Sequence, residues 1–153
     1  MSILVTGGCG YIGSHTVVEL LNNNKEVVIV DDYSNSKPEV LNRIETITGK
    51  RPRFYHVNIL DEEKLSEVFE KESIDSVIHF AAFKAVGESV NKPLDYYQNN
   101  LQGLLTVLKV MSKFNVKIIV FSSSATVYGM HNQSPLKEDL PTSATNPYGY
   151  TKL

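Results

Sequence analysis

A tyrosine and a lysine four residues apart, Tyr148 and Lys152, could act together as a general base near the carboxyl end of the sequence. Asn146 and Pro147 are typical of a helix start, and residues four apart on a helix share one face. A free tyrosine has a pKa of about 10, so its phenolate needs roughly 3–4 kcal/mol of stabilisation near neutral pH, which a neighbouring ammonium can supply. Taken alone, the same spacing also fits an exposed tyrosine and lysine without a role.

A run of three serines, Ser122, Ser123 and Ser124, ends the last predicted strand. Ligands of open α/β sheets bind at the carboxyl ends of the strands, where a hydroxyl could hydrogen-bond the oxygen that Tyr148 deprotonates. We expect Ser124 to take this role. For Ser122 and Ser123, a polar strand end without a catalytic role is an equally good interpretation.

A glycine-rich segment follows the first predicted strand. Its glycines fit G-x-G-x-x-G when read as Gly8, Gly10 and Gly13, and G-x-x-G-x-x-G when read from Gly7. Glycines allow a tight turn and a close approach of the backbone to a pyrophosphate, and the following helix start presents free N–H groups to it. The pattern indicates a dinucleotide site; glycines that serve only helix–strand packing are the alternative.

An acidic residue, Asp31, ends the second predicted strand 18 residues after Gly13. This is close to the ~20 residues expected for the acid that binds the adenosine ribose of a dinucleotide. Asp31 and Asp32 would repel a 2′-phosphate, which favours NAD over NADP, although Lys37 lies nearby in the sequence. A turn-forming acid is the alternative interpretation of Asp31.

Short apolar runs alternate with amphipathic segments along the chain, which predicts an α/β fold with a doubly wound, Rossmann-like parallel sheet in the order 3-2-1-4-5. We expect one NAD-binding domain over residues 1–153, with a catalytic helix from about residue 147. The predicted strands cover residues 3–5, 27–30, 53–57, 76–82 and 116–122, and the predicted helices residues 11–23, 38–47, 61–71 and 93–114.

The composition excludes several classes of protein. With 17 acidic and 15 basic residues, the net charge of −2 argues against nucleic-acid binding through net positive charge. No apolar stretch approaches the ~20 residues of a membrane helix, so no membrane contact is expected. The single cysteine and the spacing of the four histidines predict no disulfide and no metal site. A cytoplasmic protein is the simplest interpretation.

These motifs together resemble the extended short-chain dehydrogenase/reductase family. Within it, the likeness is to the epimerases that interconvert UDP-galactose and UDP-glucose, and it covers essentially the whole chain. The segments that carry the resemblance are TGGCGYIG (6–13), HFAA (79–82), FKAVGESV (83–90), KPLDYYQNN (92–100), SSSATVYG (122–129) and YGYTK (148–152).

The resemblance implies an isomerase with tightly bound NAD. Tyr148 would remove the proton of the sugar 4-hydroxyl while hydride leaves carbon 4, giving a 4-keto sugar that takes the hydride back on its other face. Lys152 would hold the nicotinamide ribose and lower the pKa of Tyr148, Ser124 would bond the 4-oxygen, and Lys84 would contact the substrate.

The resemblance also implies a set of cofactor-binding residues. These are Gly7, Gly10, Tyr11, Ile12, Gly13, Asp31, Asp32, Tyr33, Ser34, Asn35, Ser36, Asn58, Ile59, Phe80, Ala81, Ala82, Phe83, Lys84, Asn99, Ser122, Tyr148 and Lys152. Asn58 departs from the family, which usually has an aspartate there. Its carbonyl can still accept from the adenine amino group, so we expect a weaker adenine contact.

The same residues also bear on other possible activities. A dehydratase needs acid and base groups where this sequence has Ala125 and Thr126, which argues against that activity. An NAD-binding module without catalytic activity, or another NAD-dependent nucleotide-sugar epimerase or reductase, stays open. The family's enzymes are considerably longer and carry a C-terminal substrate domain, so we expect a fragment truncated before that domain. The family commonly forms homodimers through the helix at 93–114 and the helix that begins at about residue 147, which is cut short here. This leaves the oligomeric state of the chain open.

Overall fold

The computed structural model describes residues 1–153. It contains five strands: β1 (Ser2–Thr6), β2 (Glu26–Asp31), β3 (Arg53–His56), β4 (Ile74–His79) and β5 (Ile118–Phe121). The α-helices are α1 (Tyr11–Asn22), α2 (Glu39–Thr48), α3 (Glu62–Lys71), α4 (Val86–Asn91), α5 (Pro93–Tyr96), α6 (Gly103–Lys113) and α7 (Pro147–Tyr150). A π-helix, Tyr97–Gln102, joins α5 to α6, and a 3₁₀-helix covers Ala125–Tyr128.

The strands form one parallel sheet in the order β3-β2-β1-β4-β5. This confirms the fold class and the strand order predicted from the sequence. The β-branched run of β2 is buried throughout from Val27 to Val30, as expected for a strand with both faces covered.

The chain separates into two compact units. Unit 1 contains Met1–Ala81 and Gly103–Phe121, and therefore the whole sheet with α1, α2, α3 and α6. Unit 2 contains Ala82–Gln102 and Ser122–Leu153, and therefore α4, α5, the π-helix, the 3₁₀-helix and α7.

Two apolar clusters build the core of unit 1, because alternate residues of its strands point to opposite faces of the sheet. Leu4, Val28 and Val30 belong to one cluster, together with residues of α3 and α6. Val5 and Ile29 belong to the other, with residues of α1 and α2. Each of these four helices thus packs its apolar side against the sheet.

Several predicted boundaries differ from the structure. The fourth strand ends at His79 and not at residue 82, because β1 turns away at Gly7 and leaves no ladder partner beyond Phe80. The fifth strand covers only the four residues that pair with β4. Helix α4 was not predicted, because Gly87 weakens its helical signal. The segment at residues 93–114, predicted as one helix, divides into α5, the π-helix and α6; a π-helix is rare and was not expected.

None of the helices combines the length and the apolar composition that would let it cross a membrane. The Asp61 carboxylate caps α3 by accepting from Lys64 N at 3.1 Å.

Candidate functional site

The glycine-rich loop of unit 1 is built around close backbone contacts. Gly7 has a φ of +69°, and a Cβ atom there would lie 2.7 Å from the amide nitrogen of Ala81. A Cβ on Gly13 would overlap the carbonyl oxygen of Gly7, so α1 begins in contact with the loop. Larger residues are therefore excluded at both positions, whatever the loop binds.

The start of α1 is open to a ligand. Gly10 is the N-cap and offers no side chain to the first-turn N–H groups, which have no acceptor within the helix. Tyr11 and Ile12 are exposed at this end, at 76% and 54%. An uncapped helix start behind a glycine turn is the arrangement that holds a pyrophosphate, so the loop fits a dinucleotide.

Asp31 organises the turn that follows β2. Its Oδ2 accepts from Cys9 N at 3.0 Å, and its Oδ1 accepts from Tyr33 N at 2.9 Å and Ser36 Oγ at 2.8 Å. The carboxylate therefore joins the glycine loop to the predicted ribose segment at residues 31–36. The turn-forming role weighed for Asp31 is present in the structure, and its contact with a ribose stays a prediction.

The thiol of Cys9 lies in the same loop and is 2% exposed. Burial, and next the Asp31 carboxylate, raise the pKa of Cys9 to about 12, against a smaller opposing hydrogen bond with Tyr33. Cys9 is therefore a thiol at neutral pH and acts as a small packing residue.

Asn58, where the sequence departs from the family, pairs with a neighbouring acid. Its Nδ2 donates to Asp32 Oδ2 at 2.8 Å, and its Oδ1 accepts from Leu60 N at 2.8 Å. The carbonyl oxygen that was predicted to face an adenine amino group therefore already holds one donor. Ile59 beside it is buried and would meet any Cβ added at Gly103.

A cleft of about 720 Å³ lies in unit 1 beside the glycine loop. Its lining includes Gly10 and Tyr11 of the loop and helix start, and Asn35 and Ser36 of the predicted ribose segment. Arg43 of α2 lines it as well. The cleft thus brings together residues from two of the motifs predicted to bind one cofactor.

A buried hydrogen bond fixes the ends of β1 and β4. Thr6 Oγ1 lies 2.8 Å from His79 Nδ1, and it accepts from Ala81 N at 3.4 Å. His79 is 1% exposed and therefore packs at the end of β4. The pair sets the backbone of the predicted cofactor residues Phe80 and Ala81.

The tyrosine–lysine motif lies in unit 2 on a short helical turn. Asn146 caps it by accepting from Gly149 N at 2.8 Å, and Pro147 is its first residue, as predicted. Tyr148 and Lys152 are 9% and 5% exposed. The alternative of an exposed tyrosine and lysine is therefore wrong.

Lys152 is tied to the serine run. Its Nζ donates to the Ser122 carbonyl oxygen at 2.8 Å, and Ser123 Oγ donates to the Lys152 carbonyl oxygen at 2.8 Å. Burial lowers the pKa of Lys152 to about 8. Ser123 thus positions the lysine, and Ser122 contributes its main chain to the site.

Ser124 has the hydroxyl geometry that its predicted role requires. Its Oγ accepts from Thr126 N at 3.2 Å and from Thr126 Oγ1 at 3.0 Å, as the cap of the 3₁₀-helix. Because both contacts use the oxygen as an acceptor, the hydroxyl hydrogen is left to donate, and the predicted role of Ser124 stays a prediction.

Three residues that the sequence reasoning did not single out connect the predicted site residues of unit 2. They are Tyr96, Asn100 and Thr151, which contact the segment at residues 83–85 and the turn around Tyr148. Tyr96 and Asn100 lie within KPLDYYQNN and Thr151 within YGYTK, so the motifs held the signal, but the partners could not be read from spacing.

The predicted site residues divide between the two units. Unit 1 contains Gly7, Gly10, Tyr11, Ile12, Gly13, Asp31, Asp32, Tyr33, Ser34, Asn35, Ser36, Asn58, Ile59, Phe80 and Ala81. Unit 2 contains Ala82, Phe83, Lys84, Asn99, Ser122, Ser124, Tyr148 and Lys152. No group of three or more His, Cys, Asp or Glu side chains is arranged to hold a metal ion.

The sequence model of the NAD dependent epimerase/dehydratase family matches residues 3–153. The chain belongs to this family. The family resemblance predicted from the motifs is thereby confirmed.

The relatives within the family are close ones. The UDP-glucose 4-epimerase of Bacillus subtilis strain 168 is 59% identical over 153 residues, which cover 100% of this chain and 45% of that protein. The UDP-glucose 4-epimerase of Dictyostelium discoideum is 59% identical over 151 residues, which cover 99% of this chain and 44% of that protein.

Among solved structures, the Bifidobacterium longum UDP-glucose 4-epimerase in complex with NAD⁺ and UDP matches with a TM-score of 0.97 and 54% identity. The match covers 99% of this chain and 46% of that one. The chain therefore spans less than half the length of these relatives.

Proposed function

We propose that the chain supplies the cofactor-binding and catalytic residues of a UDP-glucose 4-epimerase that uses NAD and interconverts UDP-galactose and UDP-glucose. The observation that carries the proposal is the buried turn of Tyr148 and Lys152, with the lysine tied to the Ser122 carbonyl. Relatives that are 59% identical and named UDP-glucose 4-epimerase support the same activity.

Unit 1 would hold NAD through its backbone and its acidic turn. The free N–H groups at the start of α1 would bind the pyrophosphate, since Gly10 leaves them uncovered. Residues 31–36 would surround the adenosine ribose, with Asp31 already fixed beside them. The chemistry that NAD supplies when bound is reversible acceptance of a hydride from carbon 4 of the sugar.

Tyr148 would take the proton of the sugar 4-hydroxyl and later return it. The Lys152 ammonium stabilises the phenolate that must form, and its own position is set by the Ser122 carbonyl. Ser124 would donate its hydroxyl hydrogen to the 4-oxygen, because its acceptor capacity is used by Thr126. Proton transfer at one phenol in both directions suits a reaction whose substrate and product differ at a single carbon.

A module that binds NAD without turnover is the second candidate, because unit 1 by itself contains both the glycine loop and the Asp31 turn. An isomerase assay with UDP-galactose, together with an NAD titration on the 153-residue chain, distinguishes the two. Formation of UDP-glucose supports an epimerase in this chain itself. NAD binding without turnover supports the module, and absence of NAD binding contradicts the cofactor site.

We also infer a homodimer formed through the helical segment at residues 93–114. Leu105 and Leu108 of α6 support this, since these two apolar side chains are 59% and 40% exposed. Sedimentation velocity at several protein concentrations tests it: a monomer throughout contradicts the inference.

Nucleic acid is not proposed as a partner, given the net charge of −2. The cytoplasmic location expected from the sequence stays a prediction.

A further inference from the structure

Two side chains of one helical segment hold the backbone at residues 83–85. Tyr96 Oη accepts from Ala85 N at 3.1 Å and donates to Glu88 Oε2 at 2.9 Å. Asn100 contacts both backbone groups of Phe83: its Oδ1 accepts from the nitrogen at 2.8 Å, and its Nδ2 donates to the carbonyl oxygen at 3.0 Å. Three main-chain groups around Lys84 are thus bonded to side chains from α5 and the π-helix.

The amide of Asn100 also reaches the turn that carries Tyr148. Its Nδ2 donates to Thr151 Oγ1 at 2.8 Å, and that hydroxyl donates to the Tyr148 carbonyl oxygen at 2.7 Å. With Asn99 Nδ2 donating to Asn100 Oδ1 at 3.0 Å, all four hydrogen-bonding positions of the Asn100 amide are used. Asn100 is 3% exposed and Thr151 is 3% exposed, so losing a partner would leave a buried polar group unsatisfied.

The two side chains come from consecutive helical elements. Tyr96 and Asn100 lie four residues apart across the junction of α5 and the π-helix, and both contact the same short segment. A π turn is rare and is frequently found at functional sites. Here it places a fully buried amide between a substrate-contacting segment and the catalytic turn.

We propose that Tyr96, Asn100 and Thr151 are positioning residues that fix the backbone beside Lys84 and the turn of Tyr148 as one body. The proposal rests on the proposed function, because it assigns the catalytic proton transfer to Tyr148. Hydrogen bonds in series from Asn100 through Thr151 to the Tyr148 carbonyl hold the tyrosine where proton transfer requires it. Small displacements of a reacting group reduce rates strongly, so loss of the series should lower kcat more than it changes KM.

Amide hydrogen exchange on the 153-residue chain tests the contacts without any activity. In Tyr96→Phe the ring is kept and the acceptor of Ala85 N is lost, so that amide should exchange at least about tenfold faster. In Thr151→Val the Phe83 amide should exchange faster, because Asn100 loses a partner, and Thr151→Ser should restore the original rate. Thr46→Val, which removes an exposed hydroxyl bonded only within α2, is the matched control. Unchanged exchange at Phe83 and Ala85 overturns the proposal.

The catalytic consequence is measured in a chain of the relatives' length, made by joining these residues to the remainder of the Bacillus subtilis relative. Thr151→Val should lower kcat for UDP-galactose about 10- to 100-fold with little change in KM or in NAD affinity, and Thr151→Ser should recover most of it. Equal kcat in Thr151→Val and the parent overturns the positioning role, as does a Thr151→Ser variant no better than valine. An inactive parent contradicts the proposed function, while the exchange result still decides whether the contacts exist.

Discussion

The ammonium group of Lys152 donates a 2.8 Å hydrogen bond to the main-chain carbonyl oxygen of Ser122. The bond fixes a cation inside a site where it is 5% exposed, and burial lowers its pKa to about 8. A carbonyl oxygen orients the ammonium but does not neutralise it. An ammonium oriented in this way is what the proposed mechanism requires of Lys152.

The stability of the ligand-free chain should depend on pH through Lys152. An unfolded lysine has its ordinary pKa of 10.5, whereas the folded pKa is about 8, so between these values the unfolded chain binds more protons. The free energy of unfolding should therefore rise as the pH rises from about 8 to 10.5, by at most about 3 kcal/mol from this group. Urea unfolding at several pH values, compared with Lys152→Met, measures the difference. An identical rise in both proteins would contradict the assignment.

Placing a second carboxylate beside Asp32, at the position of Asn58, should lower the stability of the chain. In Asn58→Asp, two carboxylates would face each other where the amide now donates at 2.8 Å, so stability should fall by about 1 kcal/mol at neutral pH. The double variant Asp32→Asn with Asn58→Asp exchanges the two groups and should recover most of the stability in urea unfolding. If the double variant is less stable than the single one, the pair is not the cause.

Two glycines of the chain give a matched test of the loop geometry. A Cβ at Gly13 would overlap the Gly7 carbonyl oxygen, so Gly13→Ala should lower stability by about 1–3 kcal/mol and weaken NAD binding at least about tenfold. A Cβ at Gly87 in α4 would meet nothing within 4 Å, so Gly87→Ala should be neutral or slightly stabilising. Calorimetric titration with NAD and thermal unfolding measure both variants. Equal NAD affinity in the two would show that the close contact at Gly13 does not shape the cofactor loop.

The fold could be predicted from the sequence because its signals are local. The β-branched run of β2, the glycines before α1 and the Asp61 cap each fix one element, and right-handed parallel crossovers then leave few orders for the strands. The end of β4 could not be predicted, since it depends on where β1 turns away at Gly7. The sequence pattern of one strand does not indicate where the neighbouring strand of the sheet ends.

The parts of the candidate site that could be predicted are those whose residues lie close together in the sequence. Tyr148 lies in the short helix α7 and Lys152 lies just after it, and Asn146 is a typical N-cap that predicts where the helix begins. The bond between Asn100 and Thr151 joins residues 51 positions apart, and Asn100 lies in a π-helix, a rare element that was predicted as ordinary helix. Contacts of this kind appear only once the chain is folded.

Conversion of UDP-galactose by Tyr148→Phe tests the central claim most directly, in the longer chain joined to the remainder of the Bacillus subtilis relative. The phenylalanine keeps the ring in its buried place and removes only the hydroxyl that would carry the proton. We expect turnover to fall by about 10²–10⁴-fold while NAD binding stays within about twofold of the parent. Undiminished conversion to UDP-glucose by this variant would contradict the assignment of Tyr148 as the catalytic base.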